Sequence, residues 1–517
     1  MEEAPVAVRG ATGGSLSDSN PSRWSSNTAV LIYMALATVV LHAVVGNRYG
    51  WHADELATVE DARHLAWGYP ATPPVTPFFG RVALSLFGTS LVGFRFFASL
   101  AHALTVVLAG LMARQLGGGR AAQILAGASA LPFCIGGGAL MQYVSFDYAA
   151  WVLTAYFILC VLESEDPRWW VAVGASVGFG MLSKYSMAFF GVGIGAGLLG
   201  TEARRYLKSK WLWAGVGVAF LMFLPHLVWQ VQHHFVSLAL LRHIHARDVR
   251  NGKTAGFLSA QIGHSFLFLV LPGLYFYLIS PRGKRFRMLG WMYVATLLLF
   301  LVAKGKSYYM FPAYPMIYAA GAVWGEGWLA AMRRRTVAIT LWGLAWAVLA
   351  HAVVFTIVYY LPLAPVNPGA RWWEKSSAMQ ETYRDELGWP EEVKEVARIR
   401  DSLTPEERAR LGILGTTYGE AGAVNLFGPQ YGLPRAISGV NSFRQRGYGD
   451  PAPQTLIVLG QTRRVADELF EGCKLAGHTF NRYGVRTGET TWNPDIFVCG
   501  PPKQGWPEFW EHFQYFD

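Results

Sequence analysis

Long apolar runs recur along the chain from residue 29 and stop near residue 361. They cover 29–45, 91–111, 121–139, 148–162, 169–182, 187–199, 211–231, 257–279, 288–303, 308–329 and 337–361. Eleven such runs predict a polytopic bundle of about eleven transmembrane helices, with soft boundaries where a run falls short of the ~20 residues a perpendicular span needs. The stretch 169–199 fits one long span or a hairpin with Lys184 at its tip. After Leu361 the pattern becomes charged and Gly/Pro-rich. Residues 389–411 read as helix, with Thr404-Pro405-Glu406-Glu407 as a capped start. Short apolar strands follow at 411–415, 455–460 and 495–498, separated by helical stretches such as 463–469, giving a small C-terminal α/β domain. The expected organisation is a tail over 1–27, a membrane domain over 28–362 and a soluble domain over 363–517.

Composition agrees with the pattern. Hydrophobic residues make up 52% and charged residues 15%, far below the ~25% charge of a soluble domain, so an all-α membrane domain dominates the chain. Charge then orients it. Arg114/Arg120, Arg204/Arg205/Lys208/Lys210, Arg282/Lys284/Arg285/Arg287 and Arg333/Arg334/Arg335 sit at span ends, where basic residues favour the cytoplasmic side. With these loops and the Ser/Gly/Asn-rich tail inside, charge favours the hairpin, puts Lys184 outside and makes everything after Leu361 extracytoplasmic. The first run lacks a small-residue cleavage site and reads as a retained anchor, so the expected location is the cytoplasmic (inner) membrane. A net charge of +10 invites a nucleic-acid reading, but the basic residues lie at span ends rather than in an aromatic-interleaved stripe. Cys473 and Cys499 both fall in the soluble domain and are either a disulfide or two thiols, whereas Cys134 and Cys160 lie in apolar spans as packing residues.

The first outer loop carries the sharpest chemistry. It reads Trp51-His52-Ala53-Asp54-Glu55-Leu56, continues as an amphipathic helix to Trp67 and turns through Pro70, Pro73, Pro74 and Pro77. With Leu56, Val59, Leu65 and the tryptophans in the membrane surface, Asp54 and Glu55 would stand at its edge, within reach of a lipid headgroup and a water-borne substrate together. The plainer reading has Asp54 capping the helix.

These acids are followed by the Pro-Pro turn, by Gly88 to Ala98 leading into a span with Arg95, and by Lys304-Gly305-Lys306-Ser307-Tyr308-Tyr309 with Pro312 and Pro315. In that order they resemble the protein O-mannosyltransferase and aminoarabinose-transferase superfamily, membrane glycosyltransferases of the GT-C fold that take sugar from a polyprenyl phosphate. Lys184-Tyr185-Ser186 and Asp147 also resemble positions in bacterial members, although Thr72 stands where these often have Lys or His before the double proline. The resemblance implies a polyprenyl-phosphate-linked sugar donor and a lipid, glycan or protein acceptor.

The residues support such chemistry on their own. Phosphate is already a weak base as a leaving group, so one carboxylate base suffices: Asp54 would take the acceptor proton and Glu55 orient the acceptor, a positioned base being worth ~10²–10⁴ in rate. Charge on the departing phosphate needs fixed cations, and Arg95, Lys184, Lys304 and Lys306 are the candidates. Lysines at outer span ends run against the positive-inside bias; the plainer reading has Lys304 and Lys306 snorkelling to headgroups. Arg95, one turn inside its span, serves either phosphate or a structural acid such as Asp54 or Asp147. His52, Asp147, Tyr185, Tyr308 and Tyr309 complete the expected substrate-binding set, with Tyr314 as a further stacking candidate, although aromatics are ordinary at the membrane interface. A divalent cation is left open, with Asp54 and Asp147 as its candidates. His233, His234, His243 and His245 read as a polar gating loop rather than a metal site, because imidazoles at i and i+2 do not face one another on a helix. The Gly117–119 and Gly136–138 triplets lack a P-loop lysine and read as helix ends. Thr416-Thr417-Tyr418-Gly419-Glu420, opening a helix in the tail, is a ligand-site cue that leaves acceptor recognition by the soluble domain open. A transporter or lipid-linked sugar flippase is the alternative, and would call for mid-bilayer ionisable residues and matched repeats. Transfer of a whole oligosaccharide from a polyprenyl diphosphate would call for a larger cavity and a metal.

Overall fold

The computed structural model describes residues 26–363, 365–371, 373 and 381–516. Residues 1–25 of the expected tail lie outside the described residues. Among the described residues fifteen α-helices precede the soluble domain: α1 (Asn27–Val45), α2 (Ala53–Arg63), α3 (Val75–Phe87), α4 (Leu91–Gln115), α5 (Arg120–Gly137), α6 (Tyr143–Ser164), α7 (Trp169–Met181) and α8 (Ser186–Leu199). Then come α9 (Lys210–Gln232), α10 (Val236–Arg250), α11 (Phe257–His264), α12 (Leu267–Leu278), α13 (Arg287–Val302), α14 (Tyr314–Ala330) and α15 (Arg335–Tyr360). Among the described residues six helices are long and apolar enough to cross a membrane, and two bent helix pairs are further candidates. The chain is a multi-pass membrane protein.

Helix α6 measures the bundle. Its 22 residues span roughly 33 Å, close to the hydrocarbon thickness. Beyond its C-terminus two basic loops converge: Arg205 and Arg285 both pair with Glu165, and Lys284 pairs with Glu202. Its N-terminus, at Gln142 and Tyr143, opens into the cavity described below.

Four elements differ from expectation. Helix α2 stops at Arg63, because the Tyr69 hydroxyl donates to the Asp61 and His64 carbonyls and accepts the Ala66 N–H, folding the chain back. The proline run begins α3 instead of a loop, since Pro74 caps it and Pro77 lies in the first turn, where no intrahelical N–H partner is required. The His-rich segment is the helix α10, whose period is carried by Leu240, Ile244 and Asp248 rather than by the imidazoles. The run 257–279 is broken between α11 and α12 by a 104° bend. At the break the Tyr318 hydroxyl accepts the Phe266 N–H, satisfying a backbone donor released by the bend.

Beyond α15 the soluble domain contains α16 (Trp389–Asp401), α17 (Tyr418–Phe427) and five strands: β1 (Leu411–Gly415), β2 (Ala436–Ile437), β3 (Thr455–Leu459), β4 (Lys474–His478) and β5 (Asp495–Cys499). The order is β2-β1-β3-β5-β4, with β1 parallel to β2 and β3 and with β5 antiparallel to β3 and β4. The apolar runs of β1 and β3 form the centre, buried on both faces as parallel strands require. The helix at Arg463–Leu469 and the capping box of Thr404 stand as expected, but the cap divides the expected 389–411 helix in two. Cys473 and Cys499 form a disulfide, and Cys134 and Cys160 are buried thiols.

One apolar core joins the two domains. Phe94, Ala98 and Phe146 of the bundle pack with Leu56 and Val59 of α2, and these with Val393, Ala421, Val424 and Ile413 of the soluble domain. Leu56 and Val59 are therefore fully buried beneath α17, not lying in the membrane surface. The approach is close because residue 422 is glycine: a Cβ there would lie 2.8 Å from the Leu56 Cβ. Each such side chain contributes about 1.5–3 kcal/mol relative to exposure to water.

Candidate active site

The start of α2 sets the site. His52 is the N-cap: its Nδ1 accepts the Asp54 N–H at 3.1 Å, while Glu55 Oε2 accepts the His52 N–H at 3.0 Å. Successive helical residues diverge by ~100°, so this cap sends the two adjacent acids in different directions. Glu55 turns inward. Arg95 donates to it twice, Nε to Oε1 at 2.8 Å and Nη2 to Oε2 at 2.6 Å, and the Met141 N–H adds a third bond at 2.9 Å. Burial pushes the Glu55 carboxyl up, but the Arg95 pair and these hydrogen bonds outweigh it and hold it below the usual carboxylate range. Arg95 also donates to the Gly46 and Gly50 carbonyls and to Glu386 of the soluble domain, so every arm of its guanidinium is used.

Asp54 turns outward, into a cavity of about 490 Å³. Its Oδ2 accepts from Gln142 Nε2 and its Oδ1 from the Tyr418 hydroxyl, each at 2.8 Å. Ala57, Thr58 and Asp61 continue the same face of α2 into the cavity. Opposite lie the cations. Lys184 stands in the α7–α8 turn with its ammonium 4.4 Å from the Tyr309 ring centroid and 5.0 Å from those of Tyr143 and Tyr308. Burial pushes the Lys184 amine down to about 8, against the pull of Asp147 and with Lys306 adding to the fall. Lys304 lines the wall in a left-handed conformation, and Lys306 pairs with Asp248 of α10 at 2.7 Å. Tyr185 lines the wall with its hydroxyl held by His226 and Gln230.

The structure thus brings together Asp54, Lys184, Tyr185, Lys304, Lys306, Tyr308 and Tyr309. It does not bring five others there. Glu55, expected beside the acceptor, and Arg95, expected at the leaving phosphate, are consumed by each other behind the wall. His52 is spent on the cap. Asp147 is buried one layer back, accepting from Ser186 and from the Trp151 indole. Tyr314, the further stacking candidate, donates to Gln261 in the bundle core. Among the described residues no group of three His, Cys, Asp or Glu side chains is placed to hold a metal ion. Of the histidine patch, His245 alone reaches the lining.

Gln142, Tyr143, Asp248 and Tyr418 are the residues that reading the sequence misses in these roles. Gln142 and Tyr143 head the span that carries Asp147, and Asp248 follows Leu240 and Ile244 at helical spacing, so both had a local signal. Tyr418 had only the cue of a capped helix start.

Residues 71–229 match the family model described as dolichyl-phosphate-mannose-protein mannosyltransferase. No curated protein sequence matches the chain. Among solved structures, ArnT from Cupriavidus metallidurans in the apo state superposes with a TM-score of 0.55 at 16% identity, over 91% of this chain and 98% of that one. ArnT from the same organism bound to undecaprenyl phosphate gives 0.55 at 17% identity, over 92% and 98%. In architecture, from the helical bundle to the small C-terminal sheet, the chain has the membrane-embedded GT-C fold.

Proposed function

We propose that this chain is an integral membrane glycosyltransferase that moves a sugar from a polyprenyl-phosphate carrier to an acceptor hydroxyl at the outer face of the cytoplasmic membrane. The observation that carries this reading is the meeting of a half-exposed carboxylate, Asp54, with Lys184, Lys304 and Lys306 in one cavity lined with tyrosines. The fold supports it, and so does the polyprenyl phosphate bound by a protein of that fold. The cavity opens at one end of α6 while the basic loops gather at the other, which fits an outer site under the positive-inside rule. A site at the end of the bundle also suits an enzyme better than a transporter, whose substrate site lies near the midplane.

The chemistry follows from the groups present. Asp54 accepts the acceptor's hydroxyl proton as that oxygen attacks the anomeric carbon, and the bond from that carbon to the phosphate oxygen breaks with its electron pair left on the phosphate. Attack opposite the leaving group inverts the anomeric centre. The lysines oppose the charge that develops on the phosphate, and fixed donors of this kind are worth roughly 3–4 kcal/mol in comparable sites. The tyrosines offer faces on which a sugar ring stacks.

The test is a panel of undecaprenyl phosphates bearing mannose, glucose, galactose, arabinose or aminoarabinose, incubated with purified wild type and with Asp54→Asn in the presence of a cell-envelope extract that supplies lipid, glycan and protein hydroxyl acceptors. Wild type is expected to consume one donor, releasing undecaprenyl phosphate, and the variant to be slower by about 10²–10⁴ while melting at the same temperature. Equal rates for the two proteins would remove Asp54 from the mechanism.

A further inference from the structure

We infer that Tyr418, carried in by the soluble domain, is a positioning residue that holds the Asp54 carboxylate in its reactive orientation. The inference rests on the reading of Asp54 as the base.

The two oxygens of Asp54 are held by donors from different domains, Oδ2 by Gln142 at the head of α6 and Oδ1 by Tyr418 at the head of α17. One donor on each oxygen fixes both the rotation and the tilt of the group, which a single bond leaves free. The Asp54 side chain stays 39% exposed, so lone pairs remain open to the cavity.

The tyrosine is itself rigidly placed. Thr417 caps α17 by accepting the Glu420 N–H at 3.1 Å, and Glu420 accepts the N–H groups of Thr416 and Thr417 at 2.8 and 2.9 Å. Residue 419 is glycine where a Cβ would lie 2.6 Å from the Trp389 ring and 3.2 Å from the Ala53 Cβ, so the first turn of α17 rests on the first turn of α2. Further along α2, Ser442 donates to Asp61 at 2.6 Å, Arg446 pairs with Asp61, Arg435 pairs with Glu60, and Arg63 donates to the Asn425 carbonyl. The domain clamps α2 across two turns, and Tyr418 is the member of that clamp that touches the base.

Tyr418→Phe removes the hydroxyl alone and leaves Gln142 on Oδ2.

The experiment uses full-length protein in lipid nanodiscs with the undecaprenyl-phosphate sugar consumed in the panel and the same acceptor source, measuring kcat, KM for the donor and melting temperature. Tyr418→Phe is expected to lower kcat about tenfold with KM and melting temperature unchanged. Arg435→Ala, which loosens the docking away from the cavity, is expected to leave kcat at the wild-type value. Gln142→Leu strips the donor from the other oxygen without touching the soluble domain and is expected to lower kcat with KM unchanged in the same way, which keeps the test decisive if Tyr418→Phe fails to fold. A wild-type kcat in Tyr418→Phe, beside an inactive Asp54→Asn, overturns the positioning role and leaves the base intact. A loss of kcat in Arg435→Ala as large as that in Tyr418→Phe also overturns it. Wild-type turnover by Asp54→Asn removes both readings together.

Discussion

Asp54 and Glu55 are neighbours in the chain and part company in space, one joining the cavity and the other the core. Both acids were legible as functional candidates, but which of them faces the cavity depends on how the His52 cap rotates the helix, and that in turn depends on where Arg95 stands. Lys184, Lys304 and Lys306 were legible because lysines at the span ends opposite the basic loops need a reason to be there. Tyr418 was not, since 364 positions separate it from the group it holds. Lys184 makes its own prediction. With burial setting its amine at about 8, the ammonium is present at neutral pH and is lost as pH rises through that value. Affinity of the apo protein for undecaprenyl phosphate is therefore expected to fall above about pH 8. In Lys184→Met it is expected to be about tenfold or more weaker at pH 7, one charged hydrogen bond's worth, with that pH dependence gone. Titration calorimetry across pH 6.5–9.5 checks both, and a Lys184→Met curve that still bends like wild type would assign the dependence to another group.

Among elements, the membrane helices were the legible part, because burial in lipid demands apolar runs of fixed length whatever the neighbours are. The helix character of α2 was also legible, whereas its partner was not: an apolar stripe does not say whether lipid or protein covers it, and Leu56 and Val59 are covered by α17. Helix α10 was obscured by its histidines, which drew attention from the Leu240–Ile244–Asp248 face. The joint between α2 and the soluble domain is predicted to respond to pH through Glu386. Arg95 serves two acids, Glu55 and Glu386, and Glu386 Oε2 has no hydrogen-bond partner among the described residues. Burial raises the Glu386 carboxyl to about 7, with Arg95 opposing and Glu55 reinforcing the rise, and with His52 opposing it more weakly. The folded state therefore keeps a proton that the unfolded chain has already released. Stability from this group is present at low pH and declines as pH rises from the ordinary carboxylate range through about 7, by on the order of 1–3 kcal/mol. Thermal midpoints measured from pH 5 to pH 8 are expected to fall in wild type and to flatten over that range in Glu386→Gln. An identical slope in the two proteins would place the titration elsewhere.

On the scale of the whole molecule, a bundle one bilayer deep carries basic loops at one end, and at the other a cavity closed over by a soluble domain that shares its core with the bundle. The two-part architecture was legible from the change of composition near residue 361. The union of the parts was not, because it is made by contacts between α2, early in the chain, and a domain hundreds of residues later. That union makes the cavity the meeting place of membrane and domain, and the central claim is that a lipid-linked phosphate binds there, between Asp54 and the lysines. A structure of the full-length protein in nanodiscs with undecaprenyl phosphate tests it most directly. The phosphate is expected within hydrogen-bond reach of Lys184 or Lys304, with its prenyl chain leading out to lipid and Asp54 facing it across the cavity; a phosphate bound at the basic loops beyond the far end of α6, with the cavity empty, would contradict the account.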